Sequence, residues 1–234
     1  MTDFVLVHGA WHGGWCWAKL RPLLEAQGHR VWTPTLTGLG ERAREARPDT
    51  GLETHVADLI AVLEGEDLRT AVLVAHSYAG VPVTVVADRC RERISAVIYL
   101  DSGMPQDGQS ANNVFPGGED LYVSSAQRDG DGWLIPVPAD ETFGITSPTD
   151  LAWVQASLTP HPLRTFQEPA RLRSRPPVVP SGAIICTLDG TGDSAAARSF
   201  GGLVTVRIEA GHDIMITNPA LVADSIEGLL SGLD

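Results

Sequence analysis

The chain has 234 residues, 43% hydrophobic and 20% charged, which describes one globular domain with a large core rather than a disordered chain. A formal net charge of −12 argues against nucleic acid or an anionic membrane surface as the main partner, and it disfavours strongly anionic substrates. Cys16, Cys90 and Cys186 have no metal-ligand spacing and each lies in an apolar run, so they read as core thiols of a reducing compartment.

The first strand is expected to begin at Phe4, which leaves no room for a signal peptide before it. No apolar run is long enough to span a membrane, so a cytoplasmic location is expected. His8 to Gly14 form a glycine-rich loop without the G-x-G-x-x-G or GK[ST] phosphate patterns. A helix is expected from about Trp15 to Ala26, with Leu20, Leu23 and Leu24 on one face and Gly28 as its stop. A short strand from Val31 ends at Pro34, and Val56, Leu59, Ile60 and Leu63 recur at helical spacing.

The next stretch organises the chain. Ala71 to Ala75 read as a buried strand, Ser77 as the apex of a sharp turn, and Val81, Val83, Val85 and Val86 as the helix that follows, to near Arg91. This is the pattern of a nucleophile elbow, G-x-S-x-G, with Ala75 and Ala79 in the small positions that strand and helix crowd together. Gly192-Asp-Ser194-Ala-Ala196 matches the bare pattern too, but it lies past polar and glycine residues, and Ser194 reads as a helix N-cap.

Residues 94 to 100 form another apolar strand ending at Asp101. Strands and helices therefore alternate, which predicts an α/β fold with a mostly parallel sheet and helices on both faces. Between about 106 and 180 the alternation stops, and ten of the sixteen prolines fall there. The stretch is too long for a plain loop and reads as a cap inserted between core segments 1–105 and 181–234. It has no strong strand and only short helical patches, such as Pro148–Leu158. Strands then return near 183–187 and 203–208, with a short helix around 194–200 between them. A last helix has Asn218 as N-cap and Pro219 at its first position.

A serine hydroxyl needs a base and a group that orients the base. In this strand order the acid and histidine follow the nucleophile, at the carboxyl ends of later strands. His212 is the only histidine after the cap. Asp189, two residues past its strand, is the first candidate for the acid; Asp193 and Asp101 are the alternatives. The oxyanion donors should be the backbone N–H groups of Ala10 and Tyr78. His8 reads as a brace for the Ala10 loop, and His12, His55 and His76 as structural or exposed. No metal-ligand spacing is apparent and no cofactor is expected. Trp11, Met104, Trp133, Trp153 and Met215, with Tyr78, are candidates for the pocket wall.

The residues Val5-Leu-Val-His-Gly-Ala-Trp-His-Gly-Gly-Trp-Cys-Trp17, Gly28 to Gly38, Ala75-His-Ser-Tyr-Ala-Gly80, Cys186 to Asp189 and Gly211-His212 resemble the α/β-hydrolase superfamily. Within it they are similar to the plant methylesterase and hydroxynitrile lyase group and its small bacterial esterase relatives. The resemblance implies a Ser77, Asp189 and His212 triad with Ala10 and Tyr78 as oxyanion donors. The lyase branch carries Thr after the histidine of the first loop and Lys after the catalytic histidine; this chain has Gly9 and Asp213 there. Hydrolysis of a small to medium uncharged carboxylic ester is therefore the expectation. A carbon–carbon lyase and a ligand-binding protein of the same fold are the alternatives. The expected partner is a small-molecule ester, with no nucleic acid or membrane. A homodimer is compatible with a cap-bearing hydrolase, though no interface signature is legible.

Overall fold

In a computed structural model of the protein, residues 1–115, 118–138, 143–188 and 199–233 are described. The core is one wholly parallel six-stranded sheet. Its strands are β1 (Asp3–Val7), β2 (Arg30–Trp32), β3 (Ala71–His76), β4 (Ile94–Leu100), β7 (Ser181–Cys186) and β8 (Val204–Ile208), in the spatial order β2-β1-β3-β4-β7-β8. Residues of β3 and β7 are buried throughout, because helices cover both faces of the sheet and leave no side for polar alternation. β8 lies at the edge, with Val204, Thr205 and Arg207 exposed.

The helices joining these strands are α1 (Arg21–Ala26), α2 (Leu52–Gly65) and α3 (Gly80–Arg89). The single helix expected from Trp15 to Ala26 is divided. Gly14–Trp17 is a separate 3-10 turn, and α1 starts at Arg21 with Pro22 in its first turn. Proline lacks an N–H and fits only where a helix begins, so it sets the break. Gly28 takes φ +88° just after α1, in the left-handed region where a glycine stop belongs.

Between β4 and β7 the chain makes α4 (Ala111–Val114), α5 (Glu119–Asp129), β5 (Leu134–Ile135), α6 (Pro148–Ser157), β6 (His161–Pro162) and α7 (Arg164–Gln167). Its only strands among the described residues are the two-residue antiparallel pair β5–β6. Ser147 caps α6, its side chain accepting from the Asp150 N–H. As the chain returns to the sheet, the buried carboxylate of Asp88 on α3 accepts the N–H groups of Arg173 and Ser174 at 2.7 and 3.0 Å. The expected helix near Ser194 lies outside the described residues. The chain ends with α8 (Ile214–Thr217) and α9 (Pro219–Leu233). No helix among the described residues is long and apolar enough to cross a membrane.

Candidate active site

The sheet order reverses between β1 and β3, since β2 lies on one side of them and β4, β7 and β8 on the other. In open α/β sheets the crevice outside the strand ends at such a point holds the ligand. Ala10 follows β1 and Ser77 follows β3, so both stand there. Ser77 has φ +54°, a conformation that costs a non-glycine residue on the order of 1–3 kcal/mol and persists only where its surroundings impose it. Several contacts impose it here. Ser102 Oγ donates to Ser77 O at 2.5 Å. A Cβ on Gly80 would stand 2.2 Å from both Gly103 O and Ser102 Oγ, and one on Gly9 2.9 Å from Ser77 Cβ. Ala75 and Ala79 are fully buried. The small residues of the elbow are thus demanded by the loops after β1 and β4 as well as by strand and helix.

His212 stands beyond β8, about a quarter of its side chain exposed at 26%. Its Nδ1 lies 2.5 Å from Asp101 Oδ2; a carboxylate only accepts, so Nδ1–H donates and Nε2 carries the lone pair of the neutral ring. Asp101 directly follows β4 at φ +42°. Its Oδ1 accepts the Cys186 N–H at 3.0 Å and its own N–H donates to Ile184 O at 2.7 Å. The acid is thereby clamped between the ends of β4 and β7. Of the three strand-end carboxylates proposed for this role, Asp101 lies among the described residues and bonds His212; Asp189 and Asp193 lie outside them.

The loop of Ala10 is braced by His8. The Leu36 N–H donates to His8 Nε2 at 3.1 Å, so the ring proton is on Nδ1, which donates to Gly9 O at 2.8 Å. That carbonyl shares its planar trans peptide with the Ala10 N–H, so holding one end aims the other. Burial keeps His8 neutral, with its pKa lowered from 6.5 to about 3.

Six of the seven histidines gather around this region, His29 being the exception. His55 and His161 are both fully buried. His55 Nε2 donates to Thr37 O and its Nδ1 accepts from Tyr78 Oη, each at 2.9 Å. Burial lowers the His55 pKa to about 4, pushes His161 well down and pushes the Tyr78 phenol up. The Trp11 N–H donates to His161 Nδ1 at 3.3 Å, and the His161 and Tyr78 rings meet edge-on at 4.9 Å. A histidine of segment 106–180 therefore touches both the Trp11 amide and the Tyr78 ring. His12 and His76 are buried too, beside Asp213, which burial raises but His12, His76 and His212 bring net below the ordinary carboxylate value. The three histidines read as structural or exposed, His12, His55 and His76, are all buried.

Trp11, at φ +61°, is the centre of an aromatic wall, its ring 6.1 to 6.4 Å from those of Tyr122, His161, Phe143 and Phe166. Phe143 also stacks towards His212, with centroids 6.4 Å apart. Met215 is buried in α8 and Met104 after β4. Trp153 instead packs edge-on against Trp15 at 5.4 Å, and Trp133 lies at the corner before β5. Tyr122, Phe143, His161 and Phe166 were not legible as neighbours of Trp11, because they come from separate elements and a turn that no local pattern brings together. The seam beside them is tight: a Cβ on Gly144 would stand 2.4 Å from Gly211 Cα, and one on Gly211 2.5 Å from Gly144 Cα.

Residues 4–225 match the family described as Alpha/beta hydrolase family. The chain is 35% identical to the carbendazim hydrolyzing esterase of Nocardioides sp. (strain SG-4G), over 98% of this chain and 100% of that one. It is 40% identical to methylesterase 9 of Arabidopsis thaliana, over 91% of this chain and 80% of the relative. In structure it is similar to an extracellular alpha/beta-hydrolase from a Paenibacillus species, with a TM-score of 0.85 at 20% identity, covering 98% of this chain and 99% of the other. An elbow serine on a doubly flanked parallel sheet, a histidine beyond the last strand and these full-length likenesses agree: the chain belongs to the alpha/beta hydrolase family.

Proposed function

We propose that this protein is a serine esterase that cleaves small to medium uncharged carboxylic esters through an acyl-enzyme on Ser77. The observation that carries the reading is the His212 Nδ1–Asp101 hydrogen bond at 2.5 Å, which fixes the tautomer a base for Ser77 requires. Ser77 Oγ attacks the ester carbonyl carbon as His212 Nε2 takes its proton. The Ala10 and Tyr78 N–H groups hold the negative oxygen of the tetrahedral intermediate. His212 then gives the proton to the leaving alcohol, and water releases the acyl group from Ser77 by the same route. Asp101 holds the ring and offsets its charge, in the role that sequence order alone gave first to Asp189.

Segment 106–180 serves as the cap, and the aromatic residues it brings to Trp11 favour an apolar or aromatic group on the substrate. The likeness to methylesterases and to a carbendazim hydrolyzing esterase supports ester cleavage and makes carbendazim one substrate to try. A lyase reading is disfavoured by Asp213, which puts a carboxylate where the lyase branch has its cation.

The test is hydrolysis of p-nitrophenyl esters of increasing acyl length by the wild type and Ser77→Ala. Turnover should fall by roughly 10⁴-fold or more in the variant. Equal turnover by both folded proteins would overturn the reading. The best acyl length then sizes the pocket.

A further inference from the structure

We propose that His12 and Asp213 form a positioning pair for this reaction: a fully buried imidazolium–carboxylate contact that holds the loop of Ala10 against the loop of His212. The inference rests on the reading of Ser77 as nucleophile and His212 as its base.

His12 Nε2 lies 3.0 Å from Asp213 Oδ2, with the two side chains 1% and 0% exposed. His12 Nδ1 lies 2.6 Å from Ala10 O. Asp213 is held below the ordinary carboxylate value and so is ionised, and both its Oδ2 and Ala10 O only accept, so both ring nitrogens carry hydrogen. One side of the pair thus grips the carbonyl of the residue whose N–H is the oxyanion donor. The other side is the residue directly after His212.

Two further bonds complete the node. His76, directly before Ser77, donates from Nε2 to His212 O at 3.1 Å, and the Asp213 N–H donates to Phe143 O at 2.9 Å. The loops after β1, β3 and β8 and the aromatic wall are therefore tied together at one buried point. The Asp213 carboxylate also interacts electrostatically with His212, which favours the imidazolium that His212 becomes when it takes the serine proton.

Stability does not explain such a pair. Taking two charges out of water costs about as much as their attraction returns, and well-packed apolar residues in their place are often as stable. What a buried pair supplies is one fixed geometry. Catalysis depends on that geometry, since a displacement of about 1 Å in a reacting group costs roughly 100-fold in rate.

The test measures kcat, KM and Tm with p-nitrophenyl acetate for His12→Gln, Asp213→Asn, the corresponding double variant, and the leucine pair His12→Leu/Asp213→Leu. Each single change should lower kcat by about 10- to 100-fold with KM within about threefold. The leucine pair should recover much of the Tm that the singles lose while its kcat stays at least about 10-fold down. A leucine pair with wild-type Tm and wild-type kcat would make the pair a packing element and overturn the proposal. Should that variant not fold, His12→Gln/Asp213→Asn carries the test, because its amides still hydrogen-bond across the two loops. It should regain about fivefold in kcat over Asp213→Asn alone, and no regain overturns the proposal. Ser77→Ala is assayed alongside. If it alone keeps wild-type turnover, the esterase reading has failed; if it is inactive while the pair variants match wild type, only the positioning role has.

Discussion

The buried histidines should make the fold acid-labile well above the pH at which carboxylates protonate. His8 and His76 have pKa values lowered from 6.5 to about 3, and His55 to about 4, in each case chiefly by burial. A base with a lowered folded pKa takes up its proton in the unfolded chain first. Its contribution to stability is whole above pH 6.5 and is lost as pH falls from there towards the folded value. At pH 5 an unfolded histidine is almost fully charged while these three remain neutral in the fold. Each then costs about 2 kcal/mol relative to pH 7, and the three together about 6 kcal/mol. Domains of this kind are stable by only about 5–15 kcal/mol, so the loss is a large share of the whole. Urea unfolding followed by tryptophan fluorescence at pH 7, 6 and 5 measures it. The free energy of unfolding should fall by several kcal/mol across the range, most steeply below pH 6. A fall of less than about 1.4 kcal/mol between pH 7 and 5 would mean that less than one buried histidine resists protonation, and would refute the reasoning.

Two other perturbations test the site and the packing. Asp101→Asn should lower kcat by about 10³- to 10⁴-fold with the fold intact, because an amide N–H presented to His212 reverses the tautomer; Asp189→Asn should keep at least about a tenth of the activity in the same esterase assay. Gly80→Ala drives a Cβ to 2.2 Å from Gly103 O, a backbone atom, and should lower Tm by roughly 5–10 °C. Gly228→Ala in α9 meets nothing within 4 Å and should instead stabilise by about 0.5–1 kcal/mol, both read by thermal melting.

The strands were legible because a parallel strand covered on both faces reads as an unbroken apolar run; β4 was placed residue for residue at 94–100. The places of Ser77 and His212 beyond strand ends were legible because each follows such a run directly or through a glycine turn. The hydrogen bond between Asp101 and His212 was not, because β4 and β7 both end near an aspartate and sequence order ranks them without distance. It follows from the sheet: β4 and β7 are neighbours, and the Cys186 N–H at the end of β7 reaches back to Asp101 after β4. The aromatic wall was least legible. His161 and Phe166 sit in a two-residue strand and a four-residue helix too short to show a period, and Phe143 in a turn, while α5 with Tyr122 gives no sign of its distant partner Trp11. The partners of His12 and His161 are also remote in sequence, at Asp213 and Trp11, and no local pattern announces a contact of that span.

The meeting of Gly144 with Gly211 has a consequence for engineering. The two backbones touch with no side chain between them, Gly211 directly before His212 and Gly144 within residues 106–180. Elsewhere residues 106–180 meet the core through hydrogen bonds as well as side-chain packing, such as that from the Thr159 N–H to Trp11 O. This one point is not interchangeable. A cap grafted from another hydrolase would have to bring a glycine to the same spot, or it would push His212 aside as it docked. Such a chimaera is expected to lose turnover in the esterase assay, and a glycine at that one position of the graft should restore it.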